Sequence, residues 1–197
     1  MQDSGARKVG TESAPPGARR VVYEQTFDGL FRVALGKRLS SPSHALLREA
    51  GLDLSAKLLP AYPVETWRRC VEIAVRDLYP EHPRSEGYRL IGKDLVEGLA
   101  STAMGRAMVS VGRLLGPTRT LRRMNNTFRS ADNFVESRLT ELSATRFELW
   151  INEVMGQPCY YQGILEACLP LAGARRVQVQ VAAQEGTGAT FRIEWTP

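Results

Sequence analysis

The chain has 197 residues, of which 43% are hydrophobic and 24% are charged, and these values are typical of a globular domain rather than of a disordered chain. No apolar run approaches the roughly 18 residues that a membrane span needs. The net charge of +5 is compatible with an anionic partner, although many proteins without one share it.

The N-terminal residues and the cysteines predict a cytoplasmic protein. Residues 1–20 are rich in Gly, Ser, Pro and Ala, lack the apolar segment of a secretory signal, and are predicted to form a flexible leader. Cys70, Cys159 and Cys168 are odd in number and form no CxxC pair, which favours free thiols in a reducing compartment.

Residues 21–130 are predicted to be mainly helical. The segment 21–31 (VVYEQTFDGLF) fits both a short strand and a helix, and the pattern does not decide between them. Ser40–Ser43 predicts a loop with an N-cap before a short helix over residues 44–50, which Gly51 ends. Further helices are predicted over residues 64–78, from Ser85 past Leu99, over residues 102–115, and from Gly116 to about Phe128.

The helix over residues 102–115 carries a stripe of apolar residues at helical spacing. These residues are Met104, Met108, Val111 and Leu115, and the spacing predicts that they are buried. Because methionine adapts to irregular apolar shapes, the stripe fits either core packing or the wall of a ligand pocket. The candidate pocket residues are Trp67, Tyr88, Met104, Met108 and Tyr161.

The C-terminal segment predicts strands on both sides of one helix. The predicted strands cover residues 133–142, 145–154, 176–183 and 190–195, and the helix covers residues 159–172. Alternation is strict in RVQVQVAA and TFRIEW, as in an antiparallel sheet with one solvated face. Gly186 and Gly188 suit the hairpin turn between the last two strands. We expect the helix to lie across the apolar face of the sheet.

Helices followed by an antiparallel sheet unit predict an α+β fold. In this prediction, residues 21–197 form one domain, in which a helical part (21–130) packs on a sheet part (131–197) of the order strand, strand, helix, strand, strand.

A span without acidic residues is the sharpest charge feature of the sequence. No Asp or Glu occurs between Glu97 and Asp132, whereas arginine occurs at positions 106, 113, 119, 122, 123 and 129. Guanidinium groups bind phosphate and carboxylate through paired hydrogen bonds, so the span is a candidate anion site.

Two interpretations of this span stay open. The candidate anion-binding residues are Arg106, Arg113, Arg122 and Arg123, and their ligand would be a phosphate-bearing molecule, a nucleic acid or an acidic protein surface. Alternatively, the arginines form a solvated face and pair across the fold with Glu136, Glu141 or Glu148.

The sequence predicts no catalytic or metal site. It has no G-x-S-x-G motif, no P-loop and no G-x-G-x-x-G motif. The two histidines, His44 and His82, have too few ligating neighbours for a zinc site. One axial histidine would suffice for haem, but a surface or capping role explains His44 more simply. We therefore predict that the protein is not an enzyme and needs no cofactor.

Three segments carry a resemblance to a known family. LIGKDLVEG (residues 90–98), CYYQGILEA (residues 159–167) and FRIEW (residues 191–195) resemble a paralogous family of myxobacteria labelled domain of unknown function 2378. The resemblance covers roughly residues 21–196 and implies kinship without an activity.

The order of elements is also similar to that of the haem-nitric-oxide-binding and vinyl-four-reductase sensor domains. This remote likeness implies a sensor scaffold that binds a small ligand and controls a partner. The Tyr-x-Ser-x-Arg motif of the haem sensors is missing here, and the final hairpin lacks the cysteines of the second type. The likeness therefore carries over the scaffold and not the cofactor ligands.

The leading hypothesis is a non-enzymatic cytoplasmic sensor or adaptor module that binds a small ligand or a protein partner, and a homodimer is compatible with it. The alternative is a nucleic-acid-binding regulator that uses the arginine-rich span 98–131, with affinity that falls steeply as salt rises.

Overall fold

A two-stranded antiparallel sheet joins residues 21–23 to residues 61–63, which directly precede a long helix. The fold is described from a computed structural model of residues 19–196. β1 (Val21–Tyr23) pairs with β2 (Ala61–Pro63), and Val22 lies opposite Tyr62. The sequence did not indicate β2, because three residues before a helix give no periodicity.

The segment that fitted both strand and helix contains both. After β1, the chain enters α1 (Glu24–Phe27), which continues as a π-helix over Asp28–Ala34. The wider turn buries Leu30 and Phe31 completely. The predicted leader lies outside the described residues except for Arg19 and Arg20.

The predicted helices of the N-terminal part are present, except that the helix predicted from Gly116 to about Phe128 is divided at Arg123. They are α2 (Ser41–Glu49), α3 (Val64–Leu78), α4 (Arg84–Ser101), α5 (Ala103–Arg122) and α6 (Met124–Ala131). The hydroxyl of Ser40 accepts a hydrogen bond from the Ser43 N–H at 3.3 Å, so an N-cap lies within the predicted stretch, but α2 begins at Ser41 and not at the predicted residue 44. A break inside α5 at Gly116 (φ 78°, ψ 169°) confirms the predicted new start at Gly116-Pro117.

The prediction of a buried stripe on α5 is wrong. Met104 is 74% exposed, Met108 is 54% exposed and Val111 is 50% exposed, whereas Gly105 on the inner side is buried. Helical spacing identifies an apolar face but does not say which way that face points. Gly105 instead packs against the end of α4, where a Cβ would lie 1.8 Å from the carbonyl oxygen of Leu99.

The C-terminal part forms one four-stranded antiparallel sheet with a helix between its hairpins. Its elements are β3 (Ser137–Ser143), β4 (Arg146–Ile151), α7 (Pro158–Leu171), β5 (Arg175–Glu185) and β6 (Gly188–Thr196). The strand order is β3-β4-β6-β5. This arrangement confirms the predicted α+β fold with a strand-strand-helix-strand-strand unit.

One face of this sheet forms part of the hydrophobic core. Phe147 lies opposite Ile193, Leu149 lies opposite Phe191, and all four side chains are fully buried or nearly so. The same core extends to Trp67 of α3. The helical and sheet parts therefore share one apolar interior.

Candidate functional site

A cleft of about 320 Å³ opens between the outer side of α3, the start of α4 and the loop that leads into α7. Its walls combine aromatic and charged side chains. The lining residues are Glu65, Trp67, Arg68, Arg69, Val71, Glu72, Arg84, Tyr88, Met155, Gln157 and Tyr160.

The floor of the cleft is aromatic and rigid. Trp67, Tyr88 and Tyr160 come from three different helices, and each is buried. The rings of Trp67 and Tyr160 meet edge to face with centroids 6.4 Å apart. Because these rings are packed on several sides, the floor is preformed and apolar, with 2–5% of each residue exposed.

A carboxylate at one side of the cleft is already neutralised by its neighbours. Glu72 accepts hydrogen bonds from the hydroxyl of Tyr88, from Arg84, and from Nε of Arg76 at 2.9 Å. Partial burial raises the pKa of Glu72, but the hydrogen bond from Tyr88 and the charges of Arg84 and Arg76 outweigh it. The pKa of Glu72 is therefore lowered, and the group stays ionised as a structural anchor.

Arg68 and Arg69 are the cations at the cleft without a carboxylate partner. Both side chains are exposed, and within residues 19–196 no carboxylate lies at ion-pair distance from either. Two adjacent guanidinium groups beside an aromatic floor favour a ligand with an anionic group and a flat apolar part.

The loop at the mouth of the cleft has an unusual backbone. Met155 and Gly156 both have positive φ angles, 53° and 71°, and a positive φ is uncommon for a residue with a side chain. The N–H of Met155 donates a hydrogen bond of 2.7 Å to the buried carboxylate of Glu153, which also forms an ion pair with Arg20. These bonds hold the strained turn directly before α7.

The predicted pocket residues do not meet in one place. Trp67 and Tyr88 line the cleft. Tyr161 instead packs in the core between Tyr160 and Phe128, with ring centroids 5.3 Å and 5.8 Å away. The structure places Met104 and Met108 on the exposed side of α5, outside the cleft, because the apolar face of that helix points outward.

The predicted anion-binding arginines also spread over the surface. Arg106 and Arg113 lie on one side of α5, and Arg106 donates a hydrogen bond to the carbonyl of Ser101. Arg122, at the end of α5, forms an ion pair of 2.7 Å with Glu141, and Arg129 approaches Glu136 at 3.5 Å. Part of the span therefore pairs across the fold, as the second interpretation expected, whereas the side chain of Arg123 is exposed.

Most of the cleft is formed by residues that no pattern in the sequence connects. Tyr160, Met155 and Gln157 reach it from the segment before and within α7, and only the tertiary structure brings this segment to α3. The one signal in the sequence was the pair Arg68-Arg69, which directly follows the apolar stripe residue Trp67.

The thiols of Cys70 and Cys168 are unreactive at neutral pH. Burial raises the pKa of Cys70 and of Cys168 to about 12, so both remain protonated at neutral pH. Within residues 19–196, no group of three or more His, Cys, Asp or Glu side chains is arranged to hold a metal ion. Over the same range, no helix has both the length and the apolar character to cross a membrane.

Comparisons with known proteins identify a family and a fold. A family model described as "Protein of unknown function (DUF2378)" matches residues 20–196. No curated protein sequence is significantly similar to the chain.

Solved structures of H-NOX proteins have the same fold. One is an H-NOX protein from S. oneidensis in the Fe(II)NO ligation state, with a TM-score of 0.66 and 12% sequence identity, covering 88% of this chain and 98% of that chain. Another is an oxygen binding H-NOX domain related to soluble guanylate cyclases, with a TM-score of 0.62 and 13% identity, covering 88% and 92%. The remote likeness to haem-nitric-oxide-binding domains, inferred from the order of elements, is confirmed at the level of the fold.

Proposed function

This chain belongs to the DUF2378 family, and we propose that it acts as a non-enzymatic sensor or adaptor module that binds a small ligand in the cleft at α3. The fold supports a sensor scaffold, because its structural neighbours are H-NOX domains. The proposal rests on one observation in this chain, which is the aromatic floor of the cleft beside two guanidinium groups without a carboxylate partner.

The chemistry of the cleft defines the class of ligand. A planar apolar group would pack against Trp67, Tyr88 and Tyr160, and a carboxylate, sulfonate or phosphate would receive hydrogen bonds from Arg68 and Arg69. Glu72 already accepts hydrogen bonds from Arg76, Arg84 and Tyr88. It therefore leaves Arg68 and Arg69 available to a ligand. A ligand of this kind is a small organic anion with an aromatic or other flat body.

A ligand in the cleft would contact residues that directly precede α7, so its binding could change the position of that helix. Met155 and Gln157 line the cleft, and α7 begins at the next residue, Pro158. A ligand that changes the turn at Met155-Gly156 would shift α7 against the sheet and against α4. This coupling is the physical basis that we propose for a sensor function.

Haem does not fit the residues of this chain. The relatives include haem proteins, but His44 lies on α2, His82 lies between α3 and α4, and neither lines the cleft. The interior beside α3 is filled by aromatic rings, since the centroids of Phe27 and Tyr62 are 4.4 Å apart and those of Phe27 and Trp67 are 4.9 Å apart. We therefore propose a sensor that has kept the scaffold without the haem.

Titration with 1-anilinonaphthalene-8-sulfonate tests the proposed site, because this probe combines flat aromatic rings with a sulfonate. We expect saturable binding that quenches tryptophan emission through Trp67. Arg68→Glu combined with Arg69→Glu should weaken binding by about tenfold or more, since losing one hydrogen bond to a charged group already costs about 1.5 kcal/mol.

A matched charge reversal controls for the general electrostatic effect. Arg175→Glu combined with Arg176→Glu reverses two exposed arginines of β5, none of whose residues lines the cleft, and should leave the affinity for the probe unchanged. If the double variant binds the probe as tightly as the wild type, the cleft is not the site and the proposal fails.

A further inference from the structure

The cleft at α3 also holds an acidic side chain that has no partner. Glu65 lies in the first turn of α3, lines the cleft and is exposed. Within residues 19–196, its carboxylate forms no hydrogen bond and no ion pair. The helix dipole favours a carboxylate in the first turn, which explains the type of residue but leaves both carboxylate oxygens free to bind a ligand.

Glu65 and the two guanidinium groups of the cleft stay apart although their spacing permits ion pairs. Glu65 precedes Arg68 by three residues and Arg69 by four, and side chains at these spacings meet on the surface of a helix. Further along α3, Glu72 and Arg76 are also four residues apart and form an ion pair of 2.8 Å. Neither Arg68 nor Arg69 is at ion-pair distance from Glu65, so the cleft presents both charges to a ligand.

The separation of these charges suits a ligand that carries both signs close together. A helix rises about 1.5 Å per residue, so Glu65 lies about 4.5 Å from Arg68 and about 6 Å from Arg69 along the axis of α3. In an α-amino acid, the ammonium group and the carboxylate are bonded to one carbon atom and can reach neighbouring side chains of one helix. A ligand with one charge alone would be repelled either by Glu65 or by the arginines.

An uncharged polar side chain of the cleft is free as well. Gln157 lines the cleft and is half-buried, and its side-chain amide forms no hydrogen bond to any of residues 19–196. Because an amide both donates and accepts hydrogen bonds, Gln157 can bind either charged group of a zwitterion. The aromatic floor of Trp67, Tyr88 and Tyr160 would contact the apolar part of the same ligand.

We propose that the cleft binds an aromatic α-amino acid. Its carboxylate accepts hydrogen bonds from Arg68 and Arg69, its ammonium group donates to Glu65, and its ring packs against the aromatic floor. This identity rests on the proposed function, because it concerns the same cleft. It adds a cationic group to the anionic and flat parts of the ligand proposed above.

Three probes with the same indole ring test the two charges separately. L-Tryptophan has both charged groups, indole-3-propionate lacks the ammonium group, and tryptamine lacks the carboxylate. Isothermal titration calorimetry at neutral pH measures the affinity of each probe, and displacement of 1-anilinonaphthalene-8-sulfonate shows whether it binds in the cleft. We expect L-tryptophan to bind about tenfold or more tightly than either analogue, since each analogue loses a hydrogen bond between charged groups.

Glu65→Gln should affect the probes in opposite directions. The variant loses the partner of the ammonium group, so L-tryptophan should bind about tenfold or more weakly than to the wild type. The variant also loses a negative charge beside the bound carboxylate, so indole-3-propionate should bind more tightly. A general loss of structure would weaken the binding of both probes, so opposite shifts identify a direct contact with the ligand.

Glu185→Gln is the matched control. Glu185 is also exposed and has no ion pair within residues 19–196, but it is the last residue of β5 and does not line the cleft. This variant should leave the affinities for all three probes unchanged. Both substitutions replace an exposed side chain, so each variant should keep the far-UV circular dichroism spectrum of the wild type.

The outcomes separate an error in the ligand from an error in the site. If the dye binds in the cleft but L-tryptophan binds no more tightly than indole-3-propionate, the cleft takes simple organic anions and the amino-acid proposal is wrong. Tightest binding of tryptamine, binding of L-tryptophan without displacement of the dye, or an equal effect of Glu65→Gln and Glu185→Gln would also overturn it. If neither the dye nor L-tryptophan binds, the proposed ligand site itself fails.

Discussion

Asp132 is a buried carboxylate at the junction between the helical and sheet parts. Its Oδ1 accepts hydrogen bonds from the N–H of Val135 at 2.7 Å and from the N–H of Phe134 at 3.0 Å. Burial raises the pKa of Asp132 to about 6, and these hydrogen bonds and the charge of Arg129 lower it only in part. At neutral pH Asp132 is therefore still mainly ionised, and the folded protein bears the cost of burying this charge.

Asp132→Asn should stabilise the protein at neutral pH. The amide keeps an oxygen that accepts both hydrogen bonds and removes the cost of burying a charge. Because the folded pKa is above the unfolded value of 3.8, the wild type gains stability from Asp132 as pH falls through 6, by up to about 3 kcal/mol. The advantage of the variant should therefore shrink as pH falls from 6 to 3.8 in urea unfolding experiments.

Asp53→Asn is the control, because the stability contribution of Asp53 should change with pH in the opposite direction. Hydrogen bonds from the hydroxyl and the N–H of Ser55 lower the pKa of Asp53, so Asp53 stabilises the fold when it is ionised and loses this effect as pH falls. A stability difference between Asp132→Asn and the wild type that does not change with pH would contradict the assigned burial cost.

At the level of elements, glycines set how closely α4 and α7 approach. A side chain at Gly163 would place its Cβ 1.9 Å from the carbonyl oxygen of Arg89, and one at Gly92 would meet the carbonyl oxygen of Tyr160 at 2.1 Å. The two helices therefore cross backbone against backbone. The guanidinium of Arg89 and the ammonium of Lys93 both reach Glu166 across this crossing.

Gly163→Ala should destabilise the fold strongly. The new methyl group meets a carbonyl oxygen of the other helix, so the helices must separate, and we expect a loss of about 3 kcal/mol or more in the free energy of unfolding. Chemical denaturation with circular dichroism measures this loss.

Gly112→Ala is the matched control on a helix surface. There the added Cβ would meet only the hydroxyl of Thr120, at 3.9 Å, and alanine favours a helix by up to about 1 kcal/mol over glycine. We expect no loss of stability in this variant. Similar destabilisation by both substitutions would show that the close crossing of α4 and α7 is not what Gly163 provides.

For the whole molecule, one hydrophobic core joins the helical and sheet parts. It includes Phe27 and Trp67 from the first part and Phe147, Tyr160 and Phe191 from the second. The isolated bridge between Val22 and Asp132 and the ion pair between Arg20 and Glu153 add contacts between distant parts of the chain. If either part were isolated, its apolar face would be exposed to water.

We therefore predict that residues 21–197 unfold as one cooperative unit. In Trp67→Phe the remaining tryptophans, Trp150 and Trp195, lie in the sheet part, whereas far-UV circular dichroism reports mainly on the helices. Fluorescence and circular dichroism should give the same midpoint in urea. Two separate midpoints would mean that the parts are independent domains.

The sequence by itself determined the fold class and most of the elements, because these depend on local patterns. Alternation in RVQVQVAA and TFRIEW predicted β5 and β6, the stretch Ser40–Ser43 predicted an N-cap before α2, and Gly116-Pro117 predicted the break in α5. The pairing of β1 with β2 was not predicted, because such three-residue strands are stabilised by a contact between segments far apart in the chain.

Only the tertiary structure decided which faces are buried and which side chains meet. The period of α5 identified an apolar face, but in the structure Gly105 packs against the carbonyl of Leu99 at the end of α4, and the face with Met104 and Met108 is exposed. Trp67 and Tyr88 belong to the cleft together with Arg68, Arg69 and Tyr160 because α7 folds back onto α3 and α4. The direction in which a helix face points and the distance between two side chains depend on the positions of all the other elements. Periodicity along one segment contains no information about those positions.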